Sequence, residues 1–206
     1  MDIYGILQQL VILAPPFLFA ITFHELAHGY IALNLGDPTA KNAGRLTMNP
    51  LKHLDPLGVL VFIIMKIGWA KPVPVNPVYF RDPHKGMLLV SLAGPGANMV
   101  LAVISALLVR LLVMFPLLPM YVLRPVAEML VASVWINVML AVFNLLPVPP
   151  LDGSKILMGV LPRDMARSYE KLEPFGFILL LVLFYLGVIS KVILPIIRFT
   201  HNFLLG

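Results

Sequence analysis

Two histidines and a glutamate form the most chemically informative pattern in the sequence. The motif His24-Glu25-Leu26-Ala27-His28 lies in the apolar stretch 3–35, and its three ionisable groups are the only acidic or basic side chains there. Histidines four residues apart lie on one face of a helix, so both imidazoles can bind one metal ion. Glu25 is turned by about 100° from His24. This arrangement is typical of a zinc hydrolase, with two ligands and one general base.

A five-residue match of this kind also arises by chance in soluble proteins. The apolar surroundings argue against chance here, because an ionisable group at the centre of a bilayer costs about 3 kcal/mol on insertion scales. Such groups persist where they have partners or a task. The sequence therefore predicts a metal site inside a membrane helix.

The composition is that of a membrane protein. Only 12% of the 206 residues are charged, against about 25% in a typical soluble domain, and the mean hydropathy is +0.93. The net charge of +5 is spread over short connectors without a basic, aromatic-rich run. It therefore indicates membrane topology and contact with the lipid bilayer, and argues against nucleic acid as a partner. The chain has no cysteine, so a metal must be held by histidine and carboxylate.

The apolar segments predict an all-α, multi-pass membrane protein with about four spanning helices. Segments of spanning length are 3–35, 87–118, 129–146 and 175–194. Segment 57–67 is too short to cross a hydrocarbon core of about 30 Å, so we expect a re-entrant or interfacial piece followed by a short β-like strand. We expect a single domain over residues 1–206, with its functional core at about 10–160 and a C-terminal helix at about 175–197.

The distribution of Lys and Arg predicts the orientation in the membrane. If segment 57–67 does not cross, eleven of these residues share one side and four lie on the other. The positive-inside rule then makes the richer side cytoplasmic and both termini extracytoplasmic. The eleven are Lys41, Arg45, Lys52, Lys66, Lys71, Arg81, Lys85, Lys155, Arg163, Arg167 and Lys171; the four are Arg110, Arg124, Lys191 and Arg198.

A third protein ligand is needed to complete a zinc site that keeps one position open. The best candidate is Asp152, which follows the proline-rich segment 147–150. Proline cannot sustain a helix there, and unwound chain at membrane depth is tolerated where it lines a cavity or is buried in protein. The alternative is that Asp152 merely caps the next helix. The other aspartates, Asp37, Asp55, Asp82 and Asp164, lie in polar connectors and are less suited.

Three motifs together resemble the site-2 protease family of intramembrane zinc metalloproteases. They are His24-Glu25-Leu26-Ala27-His28, Ala93-Gly94-Pro95-Gly96-Ala97-Asn98, and the segment from Asn144 through Leu151-Asp152-Gly153, in the family's order. The similarity covers roughly residues 10–160. It implies that His24, His28 and Asp152 bind one Zn²⁺ ion and that Glu25 activates water. The implied substrate is a membrane-spanning or membrane-associated protein.

The chain further resembles a compact prokaryotic subgroup of that family that has no PDZ or CBS domain. The resemblance rests on Gly36-Asp37-Pro38-Thr39-Ala40-Lys41 and on Asn49-Pro50-Leu51-Lys52-His53-Leu54-Asp55-Pro56. It implies a multi-pass protein of a prokaryotic cell membrane, whose active site we expect to open toward the cytoplasm.

Other polar and small residues near these motifs have two interpretations each. Gly94 and Gly96 are expected to let neighbouring helices approach closely. Asn98 either orients substrate or bridges helices. Asn144 either satisfies backbone beside the broken helix or donates to the substrate carbonyl. His53 lies among connector prolines and charges, which favours a structural or interfacial role over a ligand role.

The segment 69–80 is a candidate for binding an unwound substrate. Pro72 and Pro74 exclude helix and have no N–H, which fits a strand with one unpaired edge. Val73 and Val75 would then present their N–H groups to the other edge, where an extended substrate can add as a strand. The alternative is an ordinary connector.

Two other functional classes are compatible with parts of the pattern. A catalytically silent relative would bind membrane clients without cutting them, but it would be expected to lack a ligand or the glutamate. A metal transporter could place histidine and aspartate in its helices, yet it needs no glutamate beside the first histidine. The complete set of His24, Glu25, His28 and Asp152 favours the protease.

Overall fold

Helices make up nearly all of the regular structure. The computed structural model describes residues 3–58, 70–116 and 119–206, and within these ranges the strand pairing consists of one isolated bridge between Leu54 and Ala70. The expected all-α class is therefore confirmed. The α-helices are α1 (Ile3–Asn34), α2 (Thr39–Asn42), α3 (Pro83–Met114), α4 (Met120–Asn144), α5 (Asp152–Val160), α6 (Arg163–Glu170), α7 (Gly176–Tyr185) and α8 (Leu194–Leu205).

Three of these helices are long and apolar enough to cross a membrane. They are α1, α3 and α4, and they overlap the first three predicted spans, although α4 begins at Met120, nine residues before the predicted start at 129. Each contains proline in its interior. A membrane helix tolerates proline because neighbouring helices and local adjustments satisfy the freed backbone groups.

The fourth predicted span, 175–194, is not one straight helix. Helix α7 ends at Tyr185, and Gly187 has a φ of 71°, which a residue with a side chain rarely adopts. A π-helical turn, Ile189–Ile193, then leads into α8. The two helical parts meet at 67°, so they form either one broken span or a re-entrant pair. The prediction of one C-terminal helix at 175–197 is therefore wrong, because two helices, α7 and α8, occupy this part of the chain.

Helix α3 lies at the centre of the fold. It packs against α1, α4 and α5, while α8 packs against α3 and α4. One apolar cluster joins α3 and α4 to the π-helical turn and α8. Its buried members are Ala102 and Ala106 of α3, Val134 and Val138 of α4, Ile193 of the π-helical turn and Ile197 of α8. Small residues on α3 allow the close helix contact that membrane packing requires.

The residues 70–76, here called the strap, lie against the C-terminal half of α1, near Glu25 and Gly29. The strap is anchored at its start, because Lys71 N–H donates to His53 O at 2.9 Å and Arg45 Nη2 donates to Lys71 O at 2.8 Å. Arg45 is buried, with 8% of its surface exposed. Most of the predicted re-entrant piece, from 59 onward, lies outside the described residues.

The other end of the strap is anchored to the loop after α1. Asn76 N–H donates to Asp37 Oδ2 at 2.7 Å, and both the N–H and the hydroxyl of Thr39 donate to Asp37 Oδ1. Burial acts to raise the pKa of Asp37, but the hydrogen bonds from Thr39 and Asn76 outweigh it and hold the pKa below its usual range. Asp37 thus stays ionised and fixes the strap against α1. The predicted short strand in segment 69–80 is not confirmed: residues 71–76 belong to no regular strand within the described part of the chain, and Pro77–Tyr79 form a 3₁₀ turn.

Candidate metal and catalytic site

Helix α1 places the His-Glu-x-x-His motif where the sequence predicts it. The His24 and His28 rings lie one turn apart, with centroids separated by 4.6 Å and planes nearly perpendicular at 87°. Both residues and Glu25 are buried, with 8–9% of their surfaces exposed. The histidine pair therefore faces the protein interior instead of lipid.

Asp152 reaches the histidine pair because α4 stops at Asn144 and the chain is non-helical until α5 begins. The interruption fits the prolines at 147, 149 and 150, as the sequence predicts. Leu151 is the N-cap of α5 and no side chain caps this helix end. The alternative that Asp152 serves as a cap therefore finds no support, since its carboxylate points to the histidines.

The other nitrogen of the His24 ring is fixed by a hydrogen bond. His24 Nδ1 lies 2.6 Å from Asn98 Oδ1. The Asn98 amide nitrogen donates to Ala20 O at 3.1 Å and to Asn137 Oδ1 at 2.9 Å, which leaves Oδ1 as the atom facing His24. Because Oδ1 is an acceptor, His24 carries its proton on Nδ1, and its Nε2 is a free lone pair.

The same holds for the second histidine. His28 Nδ1 donates to the backbone carbonyl of Val90 at 2.7 Å. A carbonyl can only accept, so neutral His28 also presents a free lone pair at Nε2. Partners of this kind behind metal-binding histidines fix the ring orientation and the tautomer.

Three electron-rich atoms consequently converge on one point. Asp152 Oδ2 lies 3.1 Å from His24 Nε2 and 3.3 Å from His28 Nε2. This oxygen is buried and accepts no hydrogen bond from the described residues. Lone pairs facing one another away from water repel unless a cation or a proton lies among them. The separations match the edge of a tetrahedron of nitrogen and oxygen ligands around Zn²⁺, roughly 3.3 Å for bonds of about 2.0–2.1 Å.

Glu25 is held apart from this group. Its Oε2 accepts a hydrogen bond from Val73 N–H of the strap at 2.7 Å. Among the described residues, the group with metal-binding geometry consists of His24, His28 and Asp152, without Glu25. The glutamate is thus left free for acid–base chemistry.

Gly94 on α3 faces the histidine pair directly. A Cβ at this position would lie 2.5 Å from His28 Nε2 and 2.6 Å from His24 Nε2. Any side chain would therefore push into the space where the ligand atoms meet. Gly96 differs, because a Cβ there would have open space around it. The sequence predicts a role in helix packing for Gly94. In the structure this glycine keeps space free for the ligand atoms.

The remaining candidates from the sequence lie as follows. Asn98 is fully buried and its amide is committed to His24, Ala20 and Asn137, an arrangement that fits the bridging alternative. The Asn144 amide donates to Leu140 O of its own helix at 3.0 Å. Buried His53 bonds to Thr47 O through Nε2 at 2.9 Å and does not join the three ligand atoms.

Sequence reasoning missed the polar chain that continues behind Asn98. Asn137 is 1% exposed, and its amide nitrogen donates to Ser133 O at 2.9 Å and to Ser133 Oγ at 3.2 Å. Ser133 Oγ lies 2.8 Å from Ser105 Oγ. A polar side chain within an otherwise apolar span was the available signal, because such a group needs a partner there.

Comparison with known proteins agrees with this site. The profile of peptidase family M50 matches residues 120–186. YwhC of Bacillus subtilis, described as a candidate zinc metalloprotease, is 41% identical over 190 residues, which cover 87% of this chain and 82% of YwhC. Rip2 of Mycolicibacterium smegmatis, described in the same way, is 28% identical over 198 residues, covering 90% of this chain and 71% of Rip2. No solved structure matches. The chain belongs to the site-2 protease family, peptidase family M50.

Gly94 and Gly96 form a matched pair for testing the site. We expect Gly94→Ala to lower the zinc content of the purified protein strongly, because the new methyl group displaces the histidine rings. Gly96→Ala should retain zinc, since its methyl group meets no neighbour. Metal analysis by inductively coupled plasma mass spectrometry measures both. Equal zinc in the two variants would contradict the close approach of α3 to the ligands.

Asn98 should affect metal affinity without touching the metal. Asn98→Leu removes the acceptor that orients His24, and loss of such a partner typically weakens metal binding 10–100-fold. Asn144→Leu is the control, because that amide bonds only within its own helix among the described residues. Competition with a chelator of known zinc affinity gives both dissociation constants. Unchanged affinity in Asn98→Leu would show that His24 is oriented by other means.

Proposed function

We propose that this protein is an intramembrane zinc metalloprotease that hydrolyses peptide bonds in membrane-spanning or membrane-embedded proteins. The observation that carries the proposal is the convergence of two imidazole lone pairs and one carboxylate oxygen beside a separate glutamate. Family membership supplies the same activity class. A catalytically silent relative would not need all four groups.

The ligand set suits zinc. Two neutral histidines and one aspartate give three protein ligands, and this number leaves a fourth tetrahedral position open for water or substrate. We assign His24, His28 and Asp152 as the ligands. When bound, zinc supplies a water of lowered pKa and polarises the scissile carbonyl.

Glu25 is the general base in this proposal. It follows His24 directly on α1, and its carboxylate is oriented by the N–H of Val73. Glu25 takes a proton from the attacking water and delivers it to the leaving amine. The hydrogen bond from the strap keeps the carboxylate from turning into the ligand group.

The depth of the site defines the substrate class. His24, Glu25 and His28 lie within a helix long and apolar enough to span the membrane. A transmembrane substrate hides its peptide groups in its own helix. It must therefore be locally unwound before a carbonyl reaches the site.

The strap is our candidate for capturing the unwound chain, with one change to the expectation from sequence. Val73 N–H is already bonded to Glu25, so it joins a substrate ladder only if Glu25 releases it. Val75 N–H has no partner among the described residues and is free to pair. Substrate binding thus starts at Val75, and engagement of Val73 would release the base.

The protein is an integral membrane protein, and we propose a multi-pass topology with the strap on the cytoplasmic side. Three helices meet the length and hydropathy needed to span, or four if the bent pair is one span. The excess of Lys and Arg on one side of these spans supports this orientation.

Two substitutions separate catalysis from metal binding. Glu25→Gln should lower cleavage by at least about 100-fold, the usual contribution of general acid–base catalysis, while zinc stays bound. Asp152→Ala should lose zinc as well as activity, because two histidines alone hold it poorly. Exposed Glu170→Gln is the matched control. Cleavage is measured as new protein termini in membranes of expressing cells, and zinc in the purified protein. Loss of zinc in Glu25→Gln would make Glu25 a ligand.

Proline substitutions test the strap. Val75→Pro removes the free donor and should weaken capture of substrate, raising KM more than it lowers kcat. Val73→Pro also removes the hydrogen bond to Glu25, so kcat should fall. Pro72→Ala should be mild, since this change removes no donor. Kinetics on a cleaved transmembrane peptide distinguish the three. Wild-type KM in Val75→Pro would show that the strap is only a connector.

Single cysteines test the orientation, because the chain has none of its own. Cysteine at Lys41 or Arg167 should be protected from an impermeant thiol reagent in intact cells, whereas cysteine at the C-terminal residue, Gly206, should be labelled. Permeabilised cells give the total that reacts. The reverse pattern would invert the topology.

A further inference from the structure

A long groove runs along the outside of the bundle at the end opposite to the histidine motif. It consists of two adjoining cavities of about 480 and 620 Å³ between α1, α4 and α8, and both are lined by Ile12, Arg124 and Glu128. Its deeper wall includes Trp135 and His201, whose rings meet edge to face at 5.3 Å. None of these groups takes part in the proposed catalysis.

The groove leads from the membrane surface toward the bilayer centre. Arg124 is four residues from the start of α4, which corresponds to about 6 Å at 1.5 Å per residue. Trp135 is fifteen residues from the start, or about 22 Å. Tyr121 lies at the outer end and is 80% exposed, as is common for aromatic residues at headgroup level.

Arg124 brings unused hydrogen-bond donors to the outer end of the groove. Its Nε donates to Glu128 Oε1 at 2.9 Å. This bond orients the guanidinium, and the positive charge of Arg124 compensates the negative charge of Glu128. The two terminal nitrogens make no hydrogen bond to the described residues. At headgroup depth the available acceptors are lipid phosphates, and the planar guanidinium fork matches a phosphate group.

The shape of the groove favours an acyl chain over a packed helix. Its walls are mostly large side chains, such as Leu13, Val131, Trp135 and Ile136. Helices that pack in membranes usually meet through small residues. We propose that this groove binds one phospholipid, with its phosphate on Arg124 and an acyl chain running along Ile12 and Val131 to Trp135.

Trp135 provides a direct probe of the proposed lipid. The chain has two tryptophans, so Trp69→Phe leaves Trp135 as the only one. In maltoside micelles, which contain no phosphate, we compare quenching by phosphatidylglycerol and by diacylglycerol that carry the same brominated acyl chains. The phospholipid should quench at a mole fraction roughly fivefold lower, as expected for about 1 kcal/mol from one cation near the membrane surface.

Variants then locate the headgroup and the chain. Arg124→Gln should remove the preference for the phospholipid, and the double variant Arg124→Gln with Glu128→Gln should do the same without leaving a lone carboxylate. Exposed Arg198→Gln on α8, which does not line the groove, should keep the preference. Ala132→Phe, which fills the groove, should reduce quenching by both lipids.

Three outcomes would overturn the proposal. Equal quenching by the two brominated lipids would show that the phosphate group does not contribute to binding. If the double variant keeps the preference for the phospholipid, Arg124 is not the residue that binds the phosphate. Absence of quenching in the parent protein would show that the groove holds no lipid chain, as expected if a protein helix covers it.

Discussion

The repulsion among three lone pairs is the constraint on which this structure depends. His24 Nε2, His28 Nε2 and Asp152 Oδ2 face each other in a buried space, and the protons that could relieve the contact are held on the far side of each imidazole. A cation, or a proton on one Nε2, makes such an arrangement favourable away from water, and the separations fit the ligand spacing around zinc. The break in the helix before Asp152 lets its carboxylate reach the histidines, and Gly94 leaves room for the three ligand atoms to meet.

The buried polar side chains behind His24 are joined to one another by hydrogen bonds. The chain of hydrogen bonds from His24 through Asn98 and Asn137 to the serines crosses from α1 to α3 and α4. Because an unpaired polar group in such surroundings is costly, this chain ties the three helices in one relative position. The same bonds that orient a ligand therefore help to define the bundle.

The sequence was sufficient for the ligand candidates and for the main helices, and the reasons are local. Two histidines spaced four residues apart on one helix lie on the same face. A run of prolines before an aspartate interrupts the helix there. The hydrogen bond between Val73 N–H and Glu25 was not predictable, because it depends on how the strap returns over α1. Likewise the bend after Tyr185 arises from Gly187, whose positive φ breaks an apolar run that otherwise has the length of a span.

X-ray absorption at the zinc edge of the purified, zinc-loaded protein tests the central claim most directly. The account predicts nitrogen and oxygen ligands at about 2.0–2.1 Å, with multiple scattering from two imidazole rings. Three imidazoles in the wild-type protein would contradict it, since a further histidine such as His53 would then have to reach the metal.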